Sequence, residues 1–184
     1  MNRRSAAVEQ TRLNLREAFW ELYSEKPVEK ITIREITDRA GYNRATFYLH
    51  FRDVYDLFEQ IEREILNEVR ALVNERLLKD DTFDLSRHMG SIVRLAQHHE
   101  RYLPRLMGPY GDPSFIQQMK VILAPLPDRF ILPAEGLSDQ ERSVLRELYL
   151  AGLLGAISSW LAQTERMPTA ELVTLIVAAL RPRC

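Results

Sequence analysis

The chain is poor in the residues that mark several protein classes. Its 184 residues hold one cysteine, Cys184 at the end, which excludes a disulfide framework and any cysteine-based zinc site. A lone thiol also fits a reducing compartment. Seven glycines and nine prolines are too few for a collagen-like or low-complexity chain. The start, Met1-Asn2-Arg3-Arg4-Ser5, lacks the apolar run of a signal peptide. The longest apolar run, 148–162, is fifteen residues broken by Gly152, Gly155, Ser158 and Ser159, too short to span a bilayer. The expectation is a cytoplasmic protein with no membrane partner. No charge dominates either, because the net charge is −1.

What is present is 46% hydrophobic and 28% charged, a globular balance with room for one ordinary domain or two small ones. The charges are unevenly placed. Residues 1–52 hold ten Lys and Arg against seven Asp and Glu, and residues 53–184 hold fifteen against nineteen. A basic front and an acidic back fit a small DNA-reading module on a larger body.

Helical periodicity runs through the whole chain, and no stretch alternates with period two. Val8, Thr11, Leu15, Ala18, Phe19 and Leu22 define a first helix that Pro27 ends, with Arg3 and Arg4 preceding it. Thr32 and Glu35 form a capping box, and Ile31 and Ile36 stand at the two positions of a hydrophobic staple, so a second helix begins there. Gly41 offers the left-handed residue that ends it. Asn43 caps a third short helix, and Asp53 caps a fourth reaching about residue 78, on the order of 40 Å long. Further helices are expected over 85–101, 114–123, 138–163 and from 168 onward, with 103–113 irregular and Pro125, Pro127 and Pro133 forcing a loop. The fold expected is all-α, with about nine helices: a three-helix helix-turn-helix domain over 1–56, joined by a long helix to a helical ligand-binding and dimerisation domain over 57–184.

Residues 32–51 carry the functional signal. Two short helices about a glycine turn, braced by a longer helix, make the layout whose second helix enters the major groove, where base edges are distinguishable. Ile33, Ile36, Ala40, Phe47 and Phe51 supply buried positions. Asn43, Arg44, Thr46, Tyr48 and His50 supply polar groups suited to phosphates and base edges.

From Thr32-Ile33-Arg34-Glu35 through Ala40-Gly41-Tyr42-Asn43 to Phe47-Tyr48-Leu49-His50-Phe51, the segment resembles the DNA-binding part of TetR-family transcriptional regulators. The resemblance is close over about the first 60 residues. It implies that Thr32 touches a phosphate while capping, and that Arg44, Ala45 and Thr46 face the groove. Arg44 has the fork that pairs with guanine O6 and N7, and Ala45 suits a thymine methyl. Tyr48 and His50 match phosphate-binding positions. Many relatives carry a lysine where Val54 stands. Either Arg52 takes over that phosphate, helped by free backbone N–H groups at the helix start, or the contact is absent.

The resemblance also implies a ligand-sensing, dimerising body. Leu145, Leu148, Tyr149, Gly152, Leu153 and Ala156, with Leu172, Leu175, Ile176 and Ala179 on the last helix, form two broad apolar faces suited to a four-helix interface between two copies. The alternative is that these faces meet only the chain's own core. Candidate pocket residues are His88, Met89, Tyr102, Met107, Tyr110, Phe115, Met119 and Trp160, while the effector itself cannot be read. His88, His98 and His99 lack the i, i+4 spacing that places two imidazoles on one zinc, so no metal and no cofactor is expected. No phosphate loop or nucleophile elbow proposes an enzyme. The expected function is a homodimeric repressor on a palindromic double-stranded DNA operator, released by a small-molecule effector. An activator, or a co-regulator subunit working through a protein partner, is the alternative.

Overall fold

The computed structural model describes residues 3–79, 85–108, 111–133 and 135–180, leaving Tyr110 and Cys184 outside the described residues. Among the described residues there are ten α-helices and no strand. The chain divides into two compact units, Met1–Glu64 and Ile65–Cys184, so the division falls further along the fourth helix than the boundary drawn at 56.

The first unit holds α1 (Arg3–Glu25), a single 3-10 turn at Val28–Lys30, α2 (Ile33–Ala40), α3 (Arg44–Tyr48) and the beginning of α4 (Val54–Glu75). Arg3 and Arg4, expected ahead of the first helix, are its opening residues. The buried face of α1 is Leu15, Ala18, Phe19, Trp20, Leu22 and Tyr23, while Val8 lies exposed near the helix start. Phe19, Tyr23 and Phe58 pack ring against ring, with centroids 5.0–5.9 Å apart. Two arginines on α1, Arg12 and Arg16, converge on Glu64 of α4 at 2.6 Å each. Lys26 pairs with Glu35, and Arg39 with Glu25 at 3.2 Å, fastening α2 to the end of α1.

The second unit holds the rest of α4, a 3-10 turn at Leu77–Lys79, α5 (Leu85–His98), α6 (Leu103–Leu106), α7 (Pro113–Leu123), α8 (Pro125–Phe130), α9 (Asp139–Leu161) and α10 (Thr169–Leu180). At 22 residues α4 is about 33 Å long, shorter than its apolar pattern suggests, because the last turn tightens to 3-10. Two expected loops contain helix. α6 lies in the stretch 103–113, and α8 opens on Pro125, with Pro127 two residues further on. Proline is harmless there, because first-turn N–H groups have no partner within the helix. The remaining irregular turn closes so tightly that a Cβ on Gly111 would overlap the Leu106 carbonyl.

α9 opens on the capping box read from the sequence: Ser138 Oγ accepts from the Glu141 N–H at 3.3 Å, and the Glu141 carboxylate accepts from the Ser138 N–H at 2.9 Å. Those contacts hold the Glu141 carboxyl below its ordinary range, chiefly through the Ser138 hydroxyl. Leu150, Leu154 and Leu161 are its buried residues. Lys120 pairs with Glu147, and Asp128 with Arg146 at 2.8 Å, tying α7 and α8 to α9. All but the last residue of the apolar run 148–162 therefore lies in a 23-residue helix that is long and apolar enough to cross a membrane by length and composition.

Candidate functional site

The local chemistry of α2 and α3 follows from their caps. Thr32 Oγ1 accepts from the Glu35 N–H at 3.3 Å, and Glu35 Oε2 accepts from both the N–H and the hydroxyl of Thr32, at 3.0 and 2.8 Å. Hydrogen bonds from the Lys26 ammonium, then from the Thr32 hydroxyl and N–H, pull the Glu35 carboxyl down to about 2. Thr32 is exposed, but both of its donors are already turned toward Glu35. Thr37 is buried and donates back to the Ile33 and Arg34 carbonyls at 2.9 and 3.0 Å.

Gly41 ends α2 at φ 75°, a left-handed conformation, and the next N–H, from Tyr42, reaches the Thr37 carbonyl at 2.9 Å. Asn43 then caps α3, its Oδ1 accepting from the Thr46 N–H at 2.8 Å and the Thr46 hydroxyl at 3.1 Å. The orientation of α3 is set by Phe47, which is fully buried and 5.5 Å from the ring of Phe51.

With Phe47 inward, the residues around it face outward. Asn43, Arg44, Ala45 and Tyr48 are exposed, and Thr46 and His50 are half-buried. Arg44 makes no hydrogen bond or ion pair among the described residues. The Tyr48 ring stands edge-on to Phe47 at 5.8 Å with its face open. Leu49, which the sequence reading passed over, is 82% exposed at the end of this helix. An apolar side chain that open is a signal, because nothing in the unit's own core calls for it.

The start of α4 differs from the expectation. Val54 is 7% exposed and belongs to the core. The helix-start amides are not all free, since Asp53 Oδ1 accepts from the Asp56 N–H at 2.8 Å and Asp56 Oδ2 from the Arg52 N–H at 2.9 Å. That second bond chiefly lowers the Asp56 carboxyl's pKa. The Arg52 guanidinium is exposed and lies 3.4 Å from Asp56.

Residues 15–61, spanning this whole arrangement, match the family described as bacterial regulatory proteins, tetR family. The match runs from within α1 to within α4 and covers about a quarter of the chain.

Solved structures carry the same fold through the second unit. A TetR transcriptional regulator from Streptococcus agalactiae 2603V is similar over 97% of this chain and 98% of its own, at 17% identity and a TM-score of 0.69. NalD, the secondary repressor of the MexAB-OprM multidrug efflux pump in Pseudomonas aeruginosa, is 23% identical over 94% of this chain and 98% of its own, with a TM-score of 0.60. The dihydroxyacetone kinase operon activator DhaS is 19% identical over 92% and 96%, with a TM-score of 0.56. No curated protein matches the sequence significantly.

The second unit encloses a cavity of about 240 Å³. Its wall is built from α4 through α10, and among the described residues only His99 and Tyr149 in it carry a polar side-chain atom. Of the pocket residues expected from sequence, Met107 and Met119 line the cavity. His88 and Tyr102 are half-buried elsewhere, and Phe115 is buried core. Trp160 donates its indole N–H to the Met167 carbonyl at 2.9 Å beneath the Arg166 guanidinium, bracing the link between α9 and α10.

His99 is 5% exposed, its Nε2 3.0 Å from Glu68 Oε2, and its Nδ1 is buried without a hydrogen-bond partner. Glu68, His98 and His99 bring three ligand-type atoms within 4.8 Å of one another, a cluster that histidine spacing alone could not reveal because Glu68 sits a helix away.

The two faces read together from sequence separate in space. Tyr149, Leu153 and Ile176 line the cavity, Leu172 is buried and Leu145 is half-buried. Leu148, Gly152, Ala156, Leu175 and Ala179 are exposed. A Cβ built on Gly152 or Gly155 meets nothing within 4 Å, so none of the described residues uses the close approach those glycines permit.

Proposed function

We propose that the chain is a cytoplasmic, homodimeric repressor that binds a palindromic operator and leaves it when a small-molecule effector enters the cavity. The observation that carries this is the outer face of α3, where Arg44 stands exposed and unpaired beside Ala45, Tyr48 and Leu49 while Phe47 anchors the helix from behind. An unpaired guanidinium is free to make the bidentate contact that distinguishes guanine, and Ala45 and Leu49 suit thymine methyls. Asn43, Thr46, Tyr48, His50 and Arg52 surround these with groups for phosphate contacts, which fix register. Thr32 reaches a phosphate only by giving up a bond to Glu35.

Dimerisation is supported by the exposed row Val144, Leu148, Gly152 and Ala156 on α9, and by the exposed Leu175 and Ala179 on α10. A second copy, rather than lipid, suits this face, because α9 begins in a charged capping box and its Arg146 and Glu147 are ion-paired to neighbouring helices. The similar folds include an operon activator as well as a repressor, which supports activation as the second reading.

Sedimentation of the protein with a bound duplex tests the dimer. Two chains per palindrome, held without a further protein, support the proposal, and one chain per duplex contradicts it.

A further inference from the structure

The cavity in the second unit states what kind of molecule it accepts. Resting on the reading of that cavity as the effector site, we infer that the effector is a small, uncharged, largely hydrocarbon molecule carrying at most one hydroxyl. No Lys, Arg, Asp or Glu is among the residues lining the cavity. A charged group placed there loses its water and gains no counter-charge, which strongly disfavours it. The one titratable group that lends a charge is His99, and its Nε2 already faces the Glu68 carboxylate. An ionised carboxylate only accepts, so that nitrogen carries the proton and donates to it. Any positive charge the ring gains is neutralised by Glu68 rather than offered to an anionic ligand. Glu68, so engaged, is in turn no partner for a cationic one.

Two polar groups remain in the lining residues, the uncharged Tyr149 hydroxyl and His99 Nδ1. In the neutral ring held by Glu68, Nδ1 is an acceptor, and it is buried without a partner. Such an atom is rare in a folded chain and costs stability until a donor meets it. A ligand hydroxyl supplies one donor after a small rotation of the ring. Size gives the other limit. At about 240 Å³ the cavity exceeds the roughly 150 Å³ that holds a benzene ring and falls below the roughly 300–1,000 Å³ of drug-sized sites. Met107 and Met119 in the wall are adaptable enough to follow the outline of a flexible alkyl chain.

Three probes of equal length separate the classes: 1-heptanol, heptanoate and heptylamine, titrated by calorimetry into the full-length protein at neutral pH. Heptanol is expected to bind at least tenfold more tightly than either charged probe. Val69→Phe, which fills the cavity from α4, is expected to weaken heptanol binding at least tenfold, and Leu95→Phe serves the same purpose from α5 if that variant does not fold. Equal or tighter binding of heptanoate or heptylamine overturns the inference, and so does the failure of all three to bind folded protein. Adding heptanol to the protein–DNA complex tests the underlying reading separately. Binding without release of the duplex removes the effector role and leaves the ligand class standing.

Discussion

Arg44 is the residue on which the proposed base reading turns. It has no hydrogen-bond or ion-pair partner among the described residues, so replacing it removes no such contact there. Arg44→Ala is expected to relax discrimination at one base pair by about 1–3 kcal/mol, measured by competition among single-base operator variants. Tyr48→Phe removes a hydroxyl from an exposed ring whose packing on Phe47 remains, and is expected to weaken all sequences alike. A loss confined to one base pair would show Tyr48 to be a base reader instead. Gly41 is tested by stability. At φ 75° an alanine meets no neighbouring atom but must hold a left-handed backbone, so Gly41→Ala is expected to cost about 1–2 kcal/mol in urea unfolding. These residues were readable in the sequence because each acts within a turn or two of itself. Leu49 was not, since its exposure depends on Phe47 being turned inward. The occupied amides before α4 were hidden for a related reason, because two carboxylates had to fold back onto them.

Among the elements, α2 has a pH dependence built into its cap. Glu35 has a folded value of about 2 against an ordinary 4.5, so the unfolded chain binds its proton first as pH falls. Its contribution is complete above about pH 4.5 and is lost as pH drops toward about 2. Glu35→Gln is expected to flatten stability over that window, measured as the urea midpoint against pH. An unchanged slope would mean that the cap carries no such linkage.

The helices with local start signals, α2, α3 and α9, were foreseen to within a residue or so. α8 is hidden, because Pro125 and Pro127 read as breakers in the sequence, whereas they stand at the start of the helix. On α9 and α10 the apolar residues were recognised but their two faces were not told apart. Periodicity shows that Leu148 and Tyr149 are both apolar, and only packing shows that one lines a cavity while the other faces out.

For the whole molecule, the proposed division of labour is between a first unit that carries α3 and a second unit that carries the cavity and the exposed apolar residues of α9 and α10. The cavity escaped the sequence because seven helices contribute to its wall and few of its residues are neighbours in the chain. The pairing of His99 with Glu68 escaped for the same reason. Leu148→Glu and Leu175→Glu each place a charge on the exposed face without disturbing the core. Each is expected to yield folded monomers in sedimentation and to lower operator affinity at least tenfold. Dimers that persist in both variants would place the interface elsewhere.

The most direct measurement is a selection of bound duplexes from a random DNA pool by the purified protein at moderate salt. Two copies of α3 reading successive major grooves must be about 34–36 Å apart. The expected result is therefore a two-fold palindrome with half-site centres about one helical turn, or a small multiple of it, apart. Arg44→Ala should then lose its preference at one position in each half-site. Recovery of a single asymmetric site, or of no sequence above background from effector-free protein, would contradict a dimer that reads DNA through α3.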